Sequence, residues 1–556
     1  MEFAELIKTW RVDGVILRRP LAGPVKGTLC VSSHHLLLSS RAGHTEELWL
    51  LIRNIDAIDK SVENLCRYPN TEFTGSIGTI TIKCKDFCIW HLEIPGMDEC
   101  LNIASSIEAL LSLESIAHTY PFFYRPKLLR LQEGWDLCSP EDHYTQLSAH
   151  TDRWRLSYVN KDFSVCTSYP IALIVPRTSD DAVLRIAATF RHGGRFPVLC
   201  YWHQRTRMVI LRSSQPLTGV NGRRCVEDEG VLAAALRPGE VGFIIDTRSL
   251  QARVRGGGME NKAHDLNWRK LHRPMERGRG LQESLVKLLD ACNDPSTSVD
   301  RWLSKLEACR WLEHVKTLLT TACLVAQCVD REEGSVLVQG SEGRDATLQV
   351  TSLAQVILDP DCRTVLGFQS LLEREWLQAG HPFSARCAAS AYSHARPGAE
   401  SPVFLLFLDG CWQICRQFPR CFQFQPHFLV TLFQHAYASC CGTFLGNDPA
   451  QRLMLKVKER TISLWAKLNS PSEREQYLNP LYEPNSLAIW PSVAPQSLQL
   501  WHGVFLRWKQ SAEHQEEAWE QVQHLMRRKP PATNSATPAA VEVDEKPAAP
   551  GAPVSV

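Results

Sequence analysis

Over the first hundred positions, apolar residues recur in short runs broken by turn formers: Gly27-Thr28-Leu29-Cys30-Val31, Leu36-Leu37-Leu38-Ser39, Glu47-Leu48-Trp49-Leu50-Leu51, Thr79-Ile80-Thr81-Ile82-Lys83 and Cys88-Ile89-Trp90-His91-Leu92. Runs of this length and composition predict strands. After Pro95-Gly96 the period changes, and Leu101, Ala104, Ile107, Ala109, Leu110 and Leu111 predict an amphipathic helix ending near Leu113. Strands closed by one helix predict a small barrel or sandwich capped by that helix, over residues 1–115. Within it, Ser61 to Phe73 reads as an inserted surface loop.

A larger unit, residues 116–503, mixes apolar strands (Val198-Leu199-Cys200-Tyr201-Trp202; Gly242-Phe243-Ile244-Ile245-Asp246) with long amphipathic helices (Leu281 to Ala291, Trp302 to Cys328, Val403 to Phe418). That is an α/β pattern, and with the first unit it makes an α+β and α/β multidomain chain. Residues 504–529 form a short amphipathic, coiled-coil-like helix: Phe505, Trp508, Ala512, Trp519, Val522 and Met526 fit a heptad seam that polar Gln515 interrupts. Its aromatic residues either bind a partner helix or pack on the preceding unit. Lys529-Pro530-Pro531 stops the helix. Residues 530–556, rich in Pro and Ala, are expected to be disordered.

Composition changes this picture little. With 44% hydrophobic and 22% charged residues in 556, the chain is globular and too long for one core. A formal charge of +1 gives no general case for nucleic-acid binding. The Met1-Glu2-Phe3-Ala4-Glu5 start lacks a basic region and an apolar run, and no long apolar stretch suggests a membrane span, so cytoplasmic residence with peripheral membrane contact is expected. The 20 cysteines are scattered and often sit in apolar runs (Cys30, Cys323, Cys328, Cys411, Cys415), which predicts reduced, buried thiols. The pairs Cys84/Cys88 and Cys411/Cys415 have no second ligand pair at a convincing distance, so neither a metal nor any other cofactor is expected.

Candidate chemistry concentrates in Val336 to Val350. A short apolar strand (Val336 to Val338) runs into a turn with two glycines, and Thr347 to Leu353 reads as a helix with Leu348 and Leu353 inward. Backbone N–H groups at such a strand–loop–helix junction converge on an anion. A cysteine-dependent phosphatase also needs a Cys at the loop's start and an Arg six positions later. Gly340 and Ala346 occupy those positions, and no cysteine of the chain is followed six residues later by an arginine.

Several ordered motifs agree with one family. Trp154-Arg155-Leu156, Arg195-Phe196-Pro197-Val198-Leu199, Ser214-Gln215-Pro216-Leu217, Asp246-Thr247-Arg248, Gly256-Gly257-Gly258 with Glu260, Trp302-Leu303, Glu375-Trp376-Leu377 with Gly380-His381, Ser401-Pro402-Val403-Phe404, Phe407-Leu408-Asp409 and Gly442-Thr443-Phe444-Leu445 carry the resemblance with the loop. Over nearly its full length the chain resembles the myotubularin phosphoinositide 3-phosphatases. The resemblance implies an N-terminal PH-GRAM domain followed by an inactive phosphatase-like domain. Active members carry Cys-Ser-Asp-Gly-Trp-Asp-Arg-Thr where this chain has Gly340, Ser341, Glu342, Gly343, Arg344, Asp345, Ala346 and Thr347.

The implied function is that of a pseudophosphatase that forms heteromers with active myotubularin-related phosphatases, raising their activity and shifting their substrate preference. A phosphoinositide-binding membrane adaptor without a phosphatase partner is the alternative. An active lipid phosphatase is contradicted by Gly340 and Ala346. The relatives continue the C-terminal helix into a long coiled coil, whereas this seam ends near Met526. Ser341, Gly343 and Arg344, with the basic run Arg269-Lys270-His272-Arg273-Arg277-Arg279, are the candidate headgroup contacts. For Arg344 two readings stand: it meets a headgroup, or it faces solvent or pairs with Glu342 or Asp345. The basic run reads equally as a solvated loop, and the triple glycine as a flexible turn.

Overall fold

The computed structural model describes residues 3–20, 23–40, 46–64, 76–124, 129–219, 222–249, 267–294, 298–393 and 398–508. The chain through Gln510 is one compact unit. Its N-terminal part is a seven-stranded antiparallel sheet of β1 (Arg11–Arg18), β2 (Val25–Val31), β3 (His35–Ser40), β4 (Glu46–Leu51), β5 (Ile55–Asn64), β6 (Ser76–Cys84) and β7 (Ile89–Pro95), in the order β4-β3-β2-β1-β7-β6-β5. Alternate residues supply the core: Val15 and Leu17 of β1, Leu36 and Leu38 of β3, Ile80 and Ile82 of β6.

Helix α1 (Met97–Leu111) closes over β5, β6 and β7. The helix was expected, and Ala104, Ile107 and Leu110 of its expected apolar face are buried; Leu101 is not. Cys100, Ile103, Ala104, Ile107 and Leu110 face the sheet, while Leu101 is 40% exposed. The cause is close approach: a Cβ on Gly78 would lie 2.3 Å from the Cys100 sulfur, so a small side chain must meet the sheet there. Two strands went unpredicted. β1 is interrupted by Gly14 and carries exposed charges, and β5 begins in alternating acidic and apolar residues. Ser61 to Asn64, expected in a loop, extends β5 against β6; Leu65 to Phe73 falls outside the described residues.

The second part is built on a five-stranded sheet of β10 (Val198–Trp202), β11 (Val209–Ser214), β12 (Gly242–Asp246), β13 (Trp268–His272) and β14 (Val336–Gly340), ordered β10-β11-β14-β12-β13; a separate antiparallel pair joins β8 (Trp154–Ser157) to β9 (Leu173–Pro176). β14 lies between β11 and β12, parallel to both. Helices α2 (Arg279–Asn293), α3 (Val299–Cys309), α4 (Trp311–Asp330), α5 (Ala346–Leu358) and α6 (Val403–Gln417) supply the apolar bulk. The helix expected over Trp302 to Cys328 is two helices, broken at Arg310, whose φ of 60° is left-handed. The break lets Trp302 and Trp311 both be buried. Every residue of α5 is buried, between α4 and α6.

The two parts are stitched by aromatic rings and one carboxylate. Phe87 lies 5.2 Å from Phe433 and stacks on Phe505 at 6.0 Å, and Phe505 meets Trp311 edge-on at 5.6 Å. Asp56 accepts hydrogen bonds from the backbone N–H groups of Ser390, Tyr392 and Ser393. Trp508 donates its indole N–H to the Asp86 carbonyl and packs on the N-terminal core. The seam expectation therefore needs correction at its first two positions. Phe505 and Trp508 are used inside this chain, and the helix that holds Phe505 is the single turn His502–Phe505. Ala512, Trp519, Val522 and Met526 lie outside the described residues, as do 530–556.

Nineteen described cysteines are free thiols. Among the described residues, no group of His, Cys, Asp or Glu could hold a metal ion, and no helix is long and apolar enough to cross a membrane.

Candidate functional site

The C-terminal ends of parallel strands are where an open α/β sheet places ligands. β14 ends there, with Gly340 beside Ser214 of β11, and residues 341–345 turn directly into α5. Gly343 makes the turn at φ +70°; a Cβ there would sit 2.6 Å from the Ser213 carbonyl oxygen, so glycine is required on both counts. The backbone N–H groups of Glu342 through Thr347 donate to no acceptor among the described residues. They stand at the N-terminus of a thirteen-residue helix, where unpaired amides and the helix dipole favour negative charge.

The side chains around this loop are engaged with one another. Asp345, which precedes α5, makes no side-chain cap; its carboxylate takes paired hydrogen bonds of 3.0 and 2.8 Å from Arg386. Burial raises the Asp345 carboxyl, but the Arg386 pair outweighs it and holds the group below the ordinary range. His381 bonds through Nδ1 to the Arg344 carbonyl at 2.8 Å, and its buried Nε2 has no partner. Burial pushes its pKa down to about 4, so the ring is neutral with the proton on Nδ1. Arg195 donates to the Gly343 carbonyl at 2.8 Å and stacks on Tyr169. Arg248 is held bidentately by Asp246, and Arg191 by Asp228.

Arg344 follows neither reading of its sequence. Its guanidinium donates to the Gly380 carbonyl at 2.7 Å and the Asn447 carbonyl at 2.6 Å, tying the loop to two distant turns. Ser341 is partly buried with its hydroxyl unpartnered, and the same holds for the deeply buried Thr347 hydroxyl. From the basic run, Arg277 reaches the mouth of the loop, which Thr247 and Arg248 also line. It sits 3.8 Å from Glu342, which is equally far from Arg386. Arg269, Lys270 and His272 form β13 and are not in a loop, Arg279 pairs with Glu283, and Gly256 to Gly258 lie outside the described residues. Arg386, 41 residues from its partner Asp345, was missed altogether, whereas Arg195 and His381 lay in motifs read without a role.

Gly340 has lost the room a side chain would need. A Cβ there would lie 2.8 Å from Thr347 Oγ1 and 3.1 Å from Thr247 Oγ1, both on short side chains with little freedom to retreat. Gly340→Cys is expected to cost about 1–3 kcal/mol through overpacking. Adding Thr347→Ala should recover part of that loss, a comparison that thermal unfolding midpoints decide.

A mostly parallel sheet, antiparallel only at its β10 edge, whose central strand delivers an amide-lined loop into a buried helix is the frame of a phosphatase-type α/β domain. The myotubularin-like phosphatase domain matches residues 119–453. The chain is 59% identical over 530 residues to myotubularin-related protein 9 of Mus musculus, covering 95% of each. It is 54% identical over 534 residues to myotubularin-related protein 9-like of Bos taurus, covering 95% of this chain and 96% of that protein. Phosphatidylinositol-3,5-bisphosphate 3-phosphatase MTMR6 of Homo sapiens is 34% identical over 517 residues, covering 90% and 80% respectively. The chain belongs to the myotubularin family.

Proposed function

We propose that this chain is a catalytically silent myotubularin that acts as a regulatory subunit of active myotubularin-related phosphatases at endomembranes, raising their activity on phosphatidylinositol 3-phosphate and 3,5-bisphosphate. The observation that carries the reading is the composition of the loop and its mouth. Thr247, Arg248, Arg277 and Gly340 through Thr347 line it, and none is a cysteine. The Ser341 and Thr347 hydroxyls touch no base, and the nearby imidazole of His381 spends its proton on a backbone carbonyl. Covalent phosphoryl transfer needs a nucleophile paired with an activating group, and charge stabilisation for the transferred phosphoryl oxygens. Ala346 supplies none of the latter. Similarity to a protein named as a phosphatidylinositol-3,5-bisphosphate 3-phosphatase supports that substrate class for the partner.

Partner contact falls to the remaining seam positions Ala512, Trp519, Val522 and Met526, because Phe505 and Trp508 are already packed. The unpaired amides of the loop favour the second reading, a phosphoinositide adaptor without a phosphatase partner. One experiment separates them: phosphate release from phosphatidylinositol 3-phosphate by a purified active myotubularin, with and without this chain, and with this chain alone. A severalfold rise over a flat blank is the expected result. Release by the chain alone would overturn catalytic silence, and an unchanged partner rate would leave the adaptor.

A further inference from the structure

A groove of about 550 Å³ opens on the phosphatase-like part and shares no residue with the degenerate loop. Trp135, Leu377 and Val457 form its buried floor. Phe163, Ile171 and Leu453 stand along it, and the last two are 40% and 60% exposed. Large apolar side chains left together in water mark a docking face. Phe163 is held there against its own preference. Its φ of 56° is left-handed, a conformation rare for a bulky residue, and its N–H donates to the Asn160 carbonyl at 3.0 Å.

One wall of the groove is main chain. Asp136, Leu137 and Cys138 run between two fixed points. Gly134 lies so close to Ala466 that a Cβ would meet the Ala466 nitrogen at 2.6 Å, and Ser139 shares a capping box with Asp142 at the start of the helix Pro140–Ser148. The backbone N–H groups of Asp136, Leu137 and Cys138 donate to no acceptor among the described residues. A strip of main chain that is held in place with its amides unspent can take the carbonyls of a peptide laid beside it.

Charge says which peptide. Five carboxylates line the groove against two cations, Arg452 and Lys458. Arg452 is spent on the Thr443 and Leu445 carbonyls, beside the Glu373 carboxylate. Toward solvent that leaves Asp136, Glu141, Asp142 and Glu459 around Lys458. Asp136 and Glu459 are exposed and pair with no cation among the described residues. We infer that the groove docks an extended segment of a partner protein, with a large apolar side chain seated among Phe163, Ile171 and Leu453 and lysine or arginine on either side of it. The groove is separate from the loop at Gly340, so the inference stands whether or not that partner is a phosphatase.

The test starts from random heptapeptides displayed on phage and selected on the full chain. The expected consensus is an aromatic, leucine or methionine residue flanked by lysine or arginine. That peptide, labelled with fluorescein, is then titrated with the full chain by fluorescence polarisation. Leu453→Ser is expected to weaken it about tenfold or more, and Glu459→Lys and Asp136→Lys about threefold or more each, with a shallower salt dependence. Val226→Ser, at a 77% exposed position in the helix Val226–Ala235, should leave binding unchanged. All four side chains are exposed, so the substitutions leave the fold intact and thermal unfolding midpoints check that. Selection without a consensus, a consensus lacking basic residues, equal binding by all variants, or a loss shared by Val226→Ser would each overturn the assignment. Sedimentation decides the remaining case: a chain that is dimeric as wild type and monomeric as Leu453→Ser would put a second copy in the groove and overturn the partner assignment, whereas a mass that does not change upholds it.

Discussion

Lowering the pH from 7 to 5 is expected to cost the protein about 2 to 4 kcal/mol of folding stability, because three histidines are folded as neutral rings and outweigh the buried Asp409, whose carboxyl burial raises to about 6 so that it takes up a proton first in the folded chain. Burial depresses all three, His381 to about 4 and His143 and His435 to about 3. The Arg374 and Arg212 cations add to the effect at His143, and Lys467 adds to it at His435. Geometry agrees: Arg374 donates to His143 Nε2, which must therefore carry a lone pair. An unfolded histidine titrates near pH 6.5, so below that value the unfolded chain takes up protons that the folded chain refuses. Stability thus falls as pH falls, by about 1.4 kcal/mol per pH unit for each ring, until the folded values are reached. His381 is fully buried and contributes in full, while the other two rings, half-buried, are partly screened. Carboxylates such as Asp345 enter later, since a depressed acid loses its contribution below about pH 4. Urea unfolding midpoints at pH 7.5, 6 and 5 measure the slope, and His381→Asn should flatten it. A midpoint that does not move between pH 7.5 and 5 would refute the neutral-ring assignment.

The same residues show what the sequence could and could not tell. The loop was readable because its parts are contiguous: an apolar strand, two glycines and an apolar helix predict a junction without long-range information, and Val336–Gly340 and Ala346–Leu358 are that junction. What surrounds it was not readable. Arg344 read either as a headgroup contact or as a cation in solvent or paired with Glu342 or Asp345, yet its partners are carbonyls of turns 36 and 103 residues away. Phe505 and Trp508 fit a heptad seam because periodicity reports that a face is buried without saying against what. Phe87, which receives Phe505, adopts a φ of 71° that no local pattern announces.

Breaking the Arg386–Asp345 pair is expected to be the costliest single change at the loop. Both side chains are largely shielded, at 14% and 7% exposure, and the bidentate geometry replaces the water each charge has lost. Arg386→Met leaves the Asp345 carboxylate buried beside an imidazole that carries no charge, with Arg344 already committed to carbonyls. A loss of about 3 kcal/mol or more is expected, toward the lower end of the range for buried pairs because Glu342 is exposed beside Arg386 and water reaches that side. Asp345→Asn should cost less, since Arg386 keeps the Ala399 carbonyl as an acceptor. The double variant should be more stable than the sum of the two losses predicts, by at least about 1 kcal/mol, because neither charge is then stranded. Denaturant unfolding of the four proteins closes the cycle. Simple additivity would mean that the pair is a bystander; strong coupling would mean that a site with no reaction to perform is kept in shape by its own ion pair, leaving the six amides of its loop aligned and unspent.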